Sequence, residues 1–292
     1  MTLEVKKPEN LIKFVIHNIQ GLSFGQAQKL MRKGDIKVNG KRCKENIALN
    51  IGDKVDVYYF EKAMPSVEVI YEDDNILIVN KPAGMECATR DKSSENTYSL
   101  EEIFADKNAI VIHRLDRLTE GLVILAKSVD VARLFERELK ARNITKKYMA
   151  RVYGKPLNEG IFTAYLKKNE KTSTVEISDT KNDDFKEIIT EFKVLNSDDK
   201  YSTLEVTLHT GRTHQIRAHL NHLGHPILND NKYGQNYKDK FPFKGYYLTA
   251  YHLSFKTTGK LEYLKDLIFV HIFKLNLLAI FRFSWYNRYI CA

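Results

Sequence analysis

The chain has 292 residues, 43% of them hydrophobic and 28% charged, which excludes a disulfide miniprotein, a disordered chain and a fibre and leaves room for one large domain with a smaller companion. Lys and Arg number 46 against 37 Asp and Glu, a net charge of +9, so a polyanion is the first partner class to expect. Cys43, Cys87 and Cys291 are odd in number, far apart and without C-x-x-C spacing, which speaks for a reducing compartment and against a zinc or redox pair. The opening MTLEVKKPEN puts acid and proline where a signal peptide needs an unbroken apolar run, so a cytoplasmic location is the expectation.

The first predicted element is a short helix from Ser23 through SFGQAQKLMRKG. Ser23 and Gln26 stand at capping-box spacing, Ala27, Leu30 and Met31 share a face, and Gly34 is the stop. The helix ends basic, with Lys29, Arg32 and Lys33. DIKVNGKRC then gives two extended runs about Asn39-Gly40, a dipeptide suited to the positive φ values of a two-residue hairpin turn, and carries Lys37, Lys41 and Arg42. After a turn at Ile51-Gly52-Asp53, Val55, Val57 and Tyr59 alternate with polar residues as a strand does. Residues 9–60 hold nine Lys or Arg against five Asp or Glu, crowded between Lys29 and Lys44. A solvated basic face gives a similar count; position on one helix end and one hairpin favours docking. The pattern RKGDIKVNGKR resembles the S-four RNA-binding domain, which implies that residues 9–60 dock on structured RNA through phosphate contacts of Lys29, Arg32, Lys33, Lys37, Lys41 and Arg42.

EKAMPSVEV, around Pro65, reads as a linker to a second domain over 67–266. VEVIYEDDNILIVNKPAG predicts two strands about Asp73-Asp74-Asn75, the second continuously apolar from Ile76 to Val79 and therefore central. Further strands are predicted at 121–127, 146–153, 174–177, 188–195 and 202–209. Ser99-Leu100-Glu101-Glu102 opens a short helix. Ser128 to Lys140 is a longer one, with Val131, Leu134, Phe135 and Leu139 toward one side. Strands dominate with helices between them, an α+β pattern. From Leu267 the tail LIFVHIFKLNLLAIFRFSWYNRYICA, residues 267–292, is apolar and atypical. His271, Lys274 and Arg282 interrupt it at a cost in lipid, so a packed terminal element or a non-native end is preferred to a membrane span.

Two polar clusters stand out. In IHRLDRLTEGLVILAK, 112–127, an arginine-rich loop runs into an apolar strand, and Asp116 lies between Arg114 and Arg117. Neighbouring cations favour its carboxylate form, available as nucleophile or base; a structural ion pair is the competing reading. LHTGRTHQIRAHLNHLGHP, 208–226, crowds histidines and arginines. His219, His222 and His225 recur every three residues, but no cysteine or carboxylate lies close by in sequence to complete a metal set, so no metal is expected and phosphate contacts fit better.

His113-Arg114-Leu115-Asp116, with Thr119 and Gly121, resembles the signature of the RluA-type pseudouridine synthases. Three further segments agree in order: Asn80-Lys81-Pro82-Ala83-Gly84, Lys147-Tyr148-Met149-Ala150, and Gly211-Arg212-Thr213-His214-Gln215-Ile216-Arg217. The resemblance spans roughly residues 10 to 260. It implies a mixed, mostly antiparallel central sheet with flanking helices and a small N-terminal α/β RNA-binding module. It also implies Asp116 as the aspartate acting on the target uridine, Tyr148 packing on the flipped base, Arg217 pairing with the aspartate, and Arg114 holding the opened RNA stack. Arg117, Arg212 and His214 receive no role. Glu120 stands where a small residue is usual, Asn229 departs from the pattern at 226–230, and the chain after Leu267 fits poorly.

Pseudouridine formation breaks C1′–N1, turns the uracil and joins C1′ to C5, with the C5 hydrogen leaving to solvent and N1 taking up a proton, so the product is an isomer and no cofactor is needed. The uridine must leave its stack, at a cost of a few kcal/mol that backbone contacts offset. The expected partner is RNA, ribosomal RNA of the large subunit first and transfer RNA second, with no membrane, no protein partner and a monomeric chain. A catalytically silent RNA-binding or ribosome-assembly protein is the alternative, which the intact Asp116, Tyr148 and Arg217 oppose. A two-carboxylate glycosidase would need Glu120 as companion to Asp116 amid positive charge that suits a polyanion better.

Overall fold

A computed structural model describes residues 1–19, 22, 24–59, 65–89, 98–156, 158–169, 172–237 and 245–271. Ser23 of the predicted capping box, most of the linker around 60–64, and the tail from 272, Cys291 included, lie outside the described residues. The chain divides into two compact units, Met1–Ala63 and Met64–Ala292.

The first unit contains β1 (Thr2–Glu4), β2 (Glu9–Asn10), α1 (Leu11–Asn18), α2 (Phe24–Lys33), β3 (Ile36–Val38), β4 (Lys41–Arg42), β5 (Ala48–Leu49) and β6 (Lys54–Val57). It begins earlier than residue 9, because β1 pairs antiparallel with β6 in a sheet of order β1-β6-β3-β4. Asn39 and Gly40 hold φ +50° and +77°, the left-handed pair that a two-residue hairpin requires. Leu11, Ile12, Phe14 and Val15 of α1 pack with Ala27 and Met31 of α2 and with Ile36, Val55 and Val57 of the strands. Helix α1 escaped the sequence reading: LIKFVIHN is apolar on most sides, so no polar stripe marks its period.

The second unit contains β7 (Glu68–Glu72), β8 (Ile76–Lys81), α3 (Leu100–Ile103), β9 (Ile110–Val111), β10 (Glu120–Ala126), α4 (Val129–Lys140), β11 (Ile144–Tyr153), β12 (Gly160–Asn169), β13 (Thr174–Ser178), β14 (Lys186–Ser197), β15 (Tyr201–Leu208), α5 (Gln215–His222), β16 (Leu248–Phe255) and β17 (Ile268–Val270). The sheet runs β13-β12-β14-β15-β11-β16-β10-β8-β7, with β9 beside β10 and β17 beside β16. Among the described strands only β10 and β16 pair in parallel, so the sheet is mixed and mostly antiparallel. It continues past residue 266, since Ile268–Val270 pairs with Leu248–Phe255.

The apolar runs of β8 and β10 follow from burial on both faces. Leu77, Val79, Val123 and Leu125 enter one core with Tyr148, Leu204 and Ile216, while Ile76, Ile78, Leu122 and Ile124 enter another with Phe135 of α4. Helix α4 starts as predicted, with Ser128 Oγ accepting the Val131 N–H at 3.3 Å. The capping box of α3 is complete: the Ser99 hydroxyl accepts the Glu102 N–H, and the Glu102 carboxylate accepts the Ser99 N–H at 2.9 Å. Among the described residues no helix is long and apolar enough to cross a membrane.

Candidate active site

Asp116 sits in the loop 112–119 that joins β9 to β10, and this loop is clamped from below. Lys81, fully buried at the end of β8, donates from Nζ to the carbonyls of Pro82, Met85 and Arg117 at 3.1, 2.9 and 3.1 Å. Burial pushes the Lys81 pKa down to about 8, against the pull of Cys87, Glu86, Asp116 and Glu120. Gly84 donates its N–H to the Arg117 carbonyl at 2.7 Å, and the Leu115 N–H points to Cys87 Sγ at 3.2 Å. The segment Asn80 to Gly84 therefore acts as the bed of the aspartate loop.

Two further positions of the motif have mechanical reasons. Gly121 has φ +118°, and a Cβ there would lie 2.2 Å from the carbonyl oxygen of Ala250, so only glycine admits the close parallel pairing of β10 with β16. His113 accepts the Ile124 N–H at Nε2 (3.2 Å), tying the loop to β10. Burial of its ring, with Lys146 nearby, drives its pKa down to about 3 and keeps it neutral.

From a segment 101 residues further along the chain, α5 supplies Arg217. Its NH1 donates to Asp116 Oδ2 at 2.7 Å, while Nε and NH2 fork onto Asp230 Oδ2 and Oδ1 at 2.7 and 3.0 Å. The arginine side chain is 2% exposed and Asp230 0%, whereas Asp116 keeps 20%. A guanidinium so deeply buried needs a carboxylate partner to offset the loss of water, and the wholly buried Asp230 meets two of its nitrogens. Desolvation alone would lower its pKa; the Asp230 hydrogen bonds and the two negative charges reverse that and raise it. The guanidinium carbon lies 4.0 Å from the Tyr246 ring centroid and 5.1 Å from that of Tyr233.

The sequence reading missed Asp230, Tyr233 and Tyr246. Asp230 is itself fixed by N–H groups of Lys232 and Tyr233, which donate to Oδ1 at 3.0 and 3.2 Å. The available signal was chemical: a buried arginine paired with a partly exposed aspartate calls for a second, fully buried anion. Burial and the Arg217 charge act in opposite directions on Tyr246 and Tyr233, and burial prevails, raising each to about 12.

Tyr148 of β11 is 5% exposed and stands among Leu204, Val206 and Ile216, at the point where β11 shifts register against β16. Burial raises its pKa, with the charge of Asp116 adding to the effect. Asp116, Arg217 and Tyr148 thus belong to one neighbourhood. Arg114 and Arg117 lie exposed on the loop, and the ion partner of Asp116 is Arg217 from 101 residues away; Arg117 faces Glu86 at 3.9 Å. Glu120 belongs to the α4 face by strand alternation and accepts the Thr249 hydroxyl at 3.2 Å, which removes it as a second acid beside Asp116. Asn229, the other departure, takes φ +67° and donates to the Gly245 carbonyl at 2.8 Å. The three spaced histidines diverge: His219 Nδ1 meets Thr190 at 3.0 Å, His222 meets Asp179 at 2.8 Å, and His225 meets the Tyr153 carbonyl at 3.0 Å. Among the described residues no cluster of His, Cys, Asp and Glu is arranged to hold a metal.

In the first unit, Arg32, Lys33, Lys41 and Arg42 are exposed, while Lys29 and Lys37 are half-buried, Lys37 lying 5.0 Å over the Tyr58 ring. Lys37 and Arg42 are direct cross-strand neighbours.

The sequence pattern described as "RNA pseudouridylate synthase" matches residues 75–222, a span that contains Asp116, Tyr148 and Arg217. The chain is 31% identical over 263 residues to the ribosomal large subunit pseudouridine synthase C of Buchnera aphidicola subsp. Baizongia pistaciae, covering 82% of this chain and 81% of that one. It is 30% identical over 266 residues to an uncharacterized RNA pseudouridine synthase of Chlorobaculum parvum, covering 83% and 81%. Among solved structures, human RNA pseudouridylate synthase domain containing 4 superposes with a TM-score of 0.57 at 20% identity, over 70% of this chain and 88% of that chain, which speaks to the fold.

Proposed function

The chain belongs to the RNA pseudouridylate synthase family, and from that premise we propose that it isomerises specific uridines of large-subunit ribosomal RNA, using Asp116 as the reacting carboxylate and residues 9–60 as an S-four-type RNA-docking module. One observation carries the assignment of the site: Arg217 binds Asp116 Oδ2 at 2.7 Å and is itself held by a wholly buried second carboxylate. A carboxylate beneath a flipped base loses water and tends to take a proton; a guanidinium fixed against it opposes that tendency. Attack on the sugar, attack on the base and removal of a sugar proton all use this carboxylate at the same place. Tyr148 provides an apolar ring with a polar tip to pack on the uracil, and Arg114, exposed at the head of the loop, holds the vacated stack.

The ribosomal choice is supported by the similarity to the Buchnera enzyme named for the large ribosomal subunit and by the basic hairpin. Lys37 opposite Arg42 is a like-charge pair that weakens a free hairpin and is relieved by an external polyanion such as RNA phosphate.

The test is tritium release from ribosomal RNA labelled at uridine C5. Release by the wild-type chain, lost in Asp116→Ala while RNA binding persists, is the expected outcome; release that survives in Asp116→Ala overturns the assignment. Mapping pseudouridine in RNA from cells with and without the gene then locates the target. Loss confined to transfer RNA overturns the ribosomal choice.

A further inference from the structure

Asp116 uses its two oxygens differently. Oδ2 is taken by Arg217 at 2.7 Å, and Oδ1 faces His214 Nε2 at 4.0 Å. His214 is the residue before α5 and holds the left-handed conformation, φ +55° and ψ +15°, an uncommon posture for a residue with a side chain. Its carbonyl accepts the Ala218 N–H at 2.9 Å, so the ring is delivered to Asp116 by the same helix start that carries Arg217.

The other ring nitrogen decides the tautomer. His214 Nδ1 lies 2.9 Å from the Tyr233 phenol oxygen, which already accepts the Val175 N–H at 3.0 Å. The arrangement in which the phenolic proton goes to Nδ1 satisfies both groups, and in it a neutral imidazole carries its proton on Nε2, toward Asp116. The charged groups around the ring are Asp116 from the loop, Arg217 from α5, and Asp230 and Lys232 from the turn after α5. Burial outweighs the attraction of the acids and lowers the His214 pKa, favouring the neutral ring.

We propose that His214 is a positioning residue for the reaction: its Nε2–H, selected by the Val175–Tyr233 relay, hydrogen-bonds Asp116 Oδ1 when RNA binds beside it and aims that oxygen at the uridine. The proposal rests on Asp116 being the reacting group, as argued above. Catalytic contacts that are long in a free site tighten on substrate binding, and 4.0 Å is a short closure from hydrogen-bond distance.

The experiment measures kcat and KM by tritium release for the full chain and for His214→Ala, His214→Gln and Tyr233→Phe, with large-subunit ribosomal RNA labelled at uridine C5. His214→Ala lowers kcat by about 10- to 100-fold with KM little changed. His214→Gln, whose amide N–H reaches the place of Nε2–H, recovers most of the rate. Tyr233→Phe, which frees the tautomer, falls between wild type and His214→Ala. A wild-type kcat in His214→Ala, a defect in KM alone, or a His214→Gln as impaired as His214→Ala overturns the proposal. Should His214→Ala fail to fold, His214→Gln and Tyr233→Phe decide through kcat at unchanged KM: a His214→Gln rate down about 10-fold or more, or a Tyr233→Phe rate equal to wild type, overturns it. A wild-type chain that releases no tritium sinks the functional assignment itself, whereas failure among the variants alone sinks only the role of His214.

Discussion

Arg217 stands between two aspartates that occupy opposite kinds of place. Asp230, in the turn after α5, has no exposed surface and uses its oxygens on Arg217 and on two backbone N–H groups. Asp116, in the loop before β10, keeps a fifth of its side chain exposed and gives one oxygen to the same arginine. Identical carboxylates therefore differ by solvation: the closed one supports the guanidinium, and the open one keeps an oxygen outside that pair, the one the proposed reaction would use.

The sharpest way to test that division is to remove each in turn. Asp116→Ala lowers tritium release by roughly 10⁴-fold or more, as loss of a central reacting group does. It shifts the unfolding midpoint little, because Arg217 keeps Asp230. Asp230→Ala strands a buried cation and costs about 3–5 kcal/mol of stability, read by chemical denaturation, with activity falling as Arg217 turns away. Equal stability losses in the two variants would break the comparison. Gly121→Ala tests the scaffold under the open aspartate: with Ala250 in the way and a positive φ to hold, it costs about 1–3 kcal/mol and separates β10 from β16. Asp230 and its turn contacts remain in place.

The smallest effect concerns His113, at the head of the open loop. Its pKa is depressed from 6.5 to about 3, so below 6.5 the unfolded chain binds a proton that the folded chain refuses. Stability contributed by this group is present above 6.5 and is lost as pH falls toward 3. His113→Gln should flatten that part of the stability curve while leaving neutral-pH stability within about 1 kcal/mol. An unchanged acid slope in His113→Gln would show that the loop is not tied to β10 through this ring.

The strands and helices with clean local signals were legible in advance. Ile76 to Val79 reads as a central strand because two cores claim its alternate residues, and Ser99 and Ser128 announce their helices by capping. Helix α5 was hidden because Gln215, Arg217 and His219 are buried beside Ile216 and Leu220, leaving no amphipathic stripe. Strands β12 and β16 lacked a distinct enough period or turn signal. The pairing of Asp116 with Arg217 came from the resemblance of motifs; sequence neighbours alone pointed to Arg114 and Arg117.

By itself the amino-acid sequence determined that a basic chain carries a loop aspartate, a strand tyrosine and a later arginine in family order, since residue type and spacing are local properties. Tertiary structure alone decided that Asp230 is the second anion, that Glu120 faces away, and that His214 Nε2 lies 4.0 Å from Asp116 Oδ1. Each of those depends on which groups lose water together, and desolvation is settled only when distant segments close on one another.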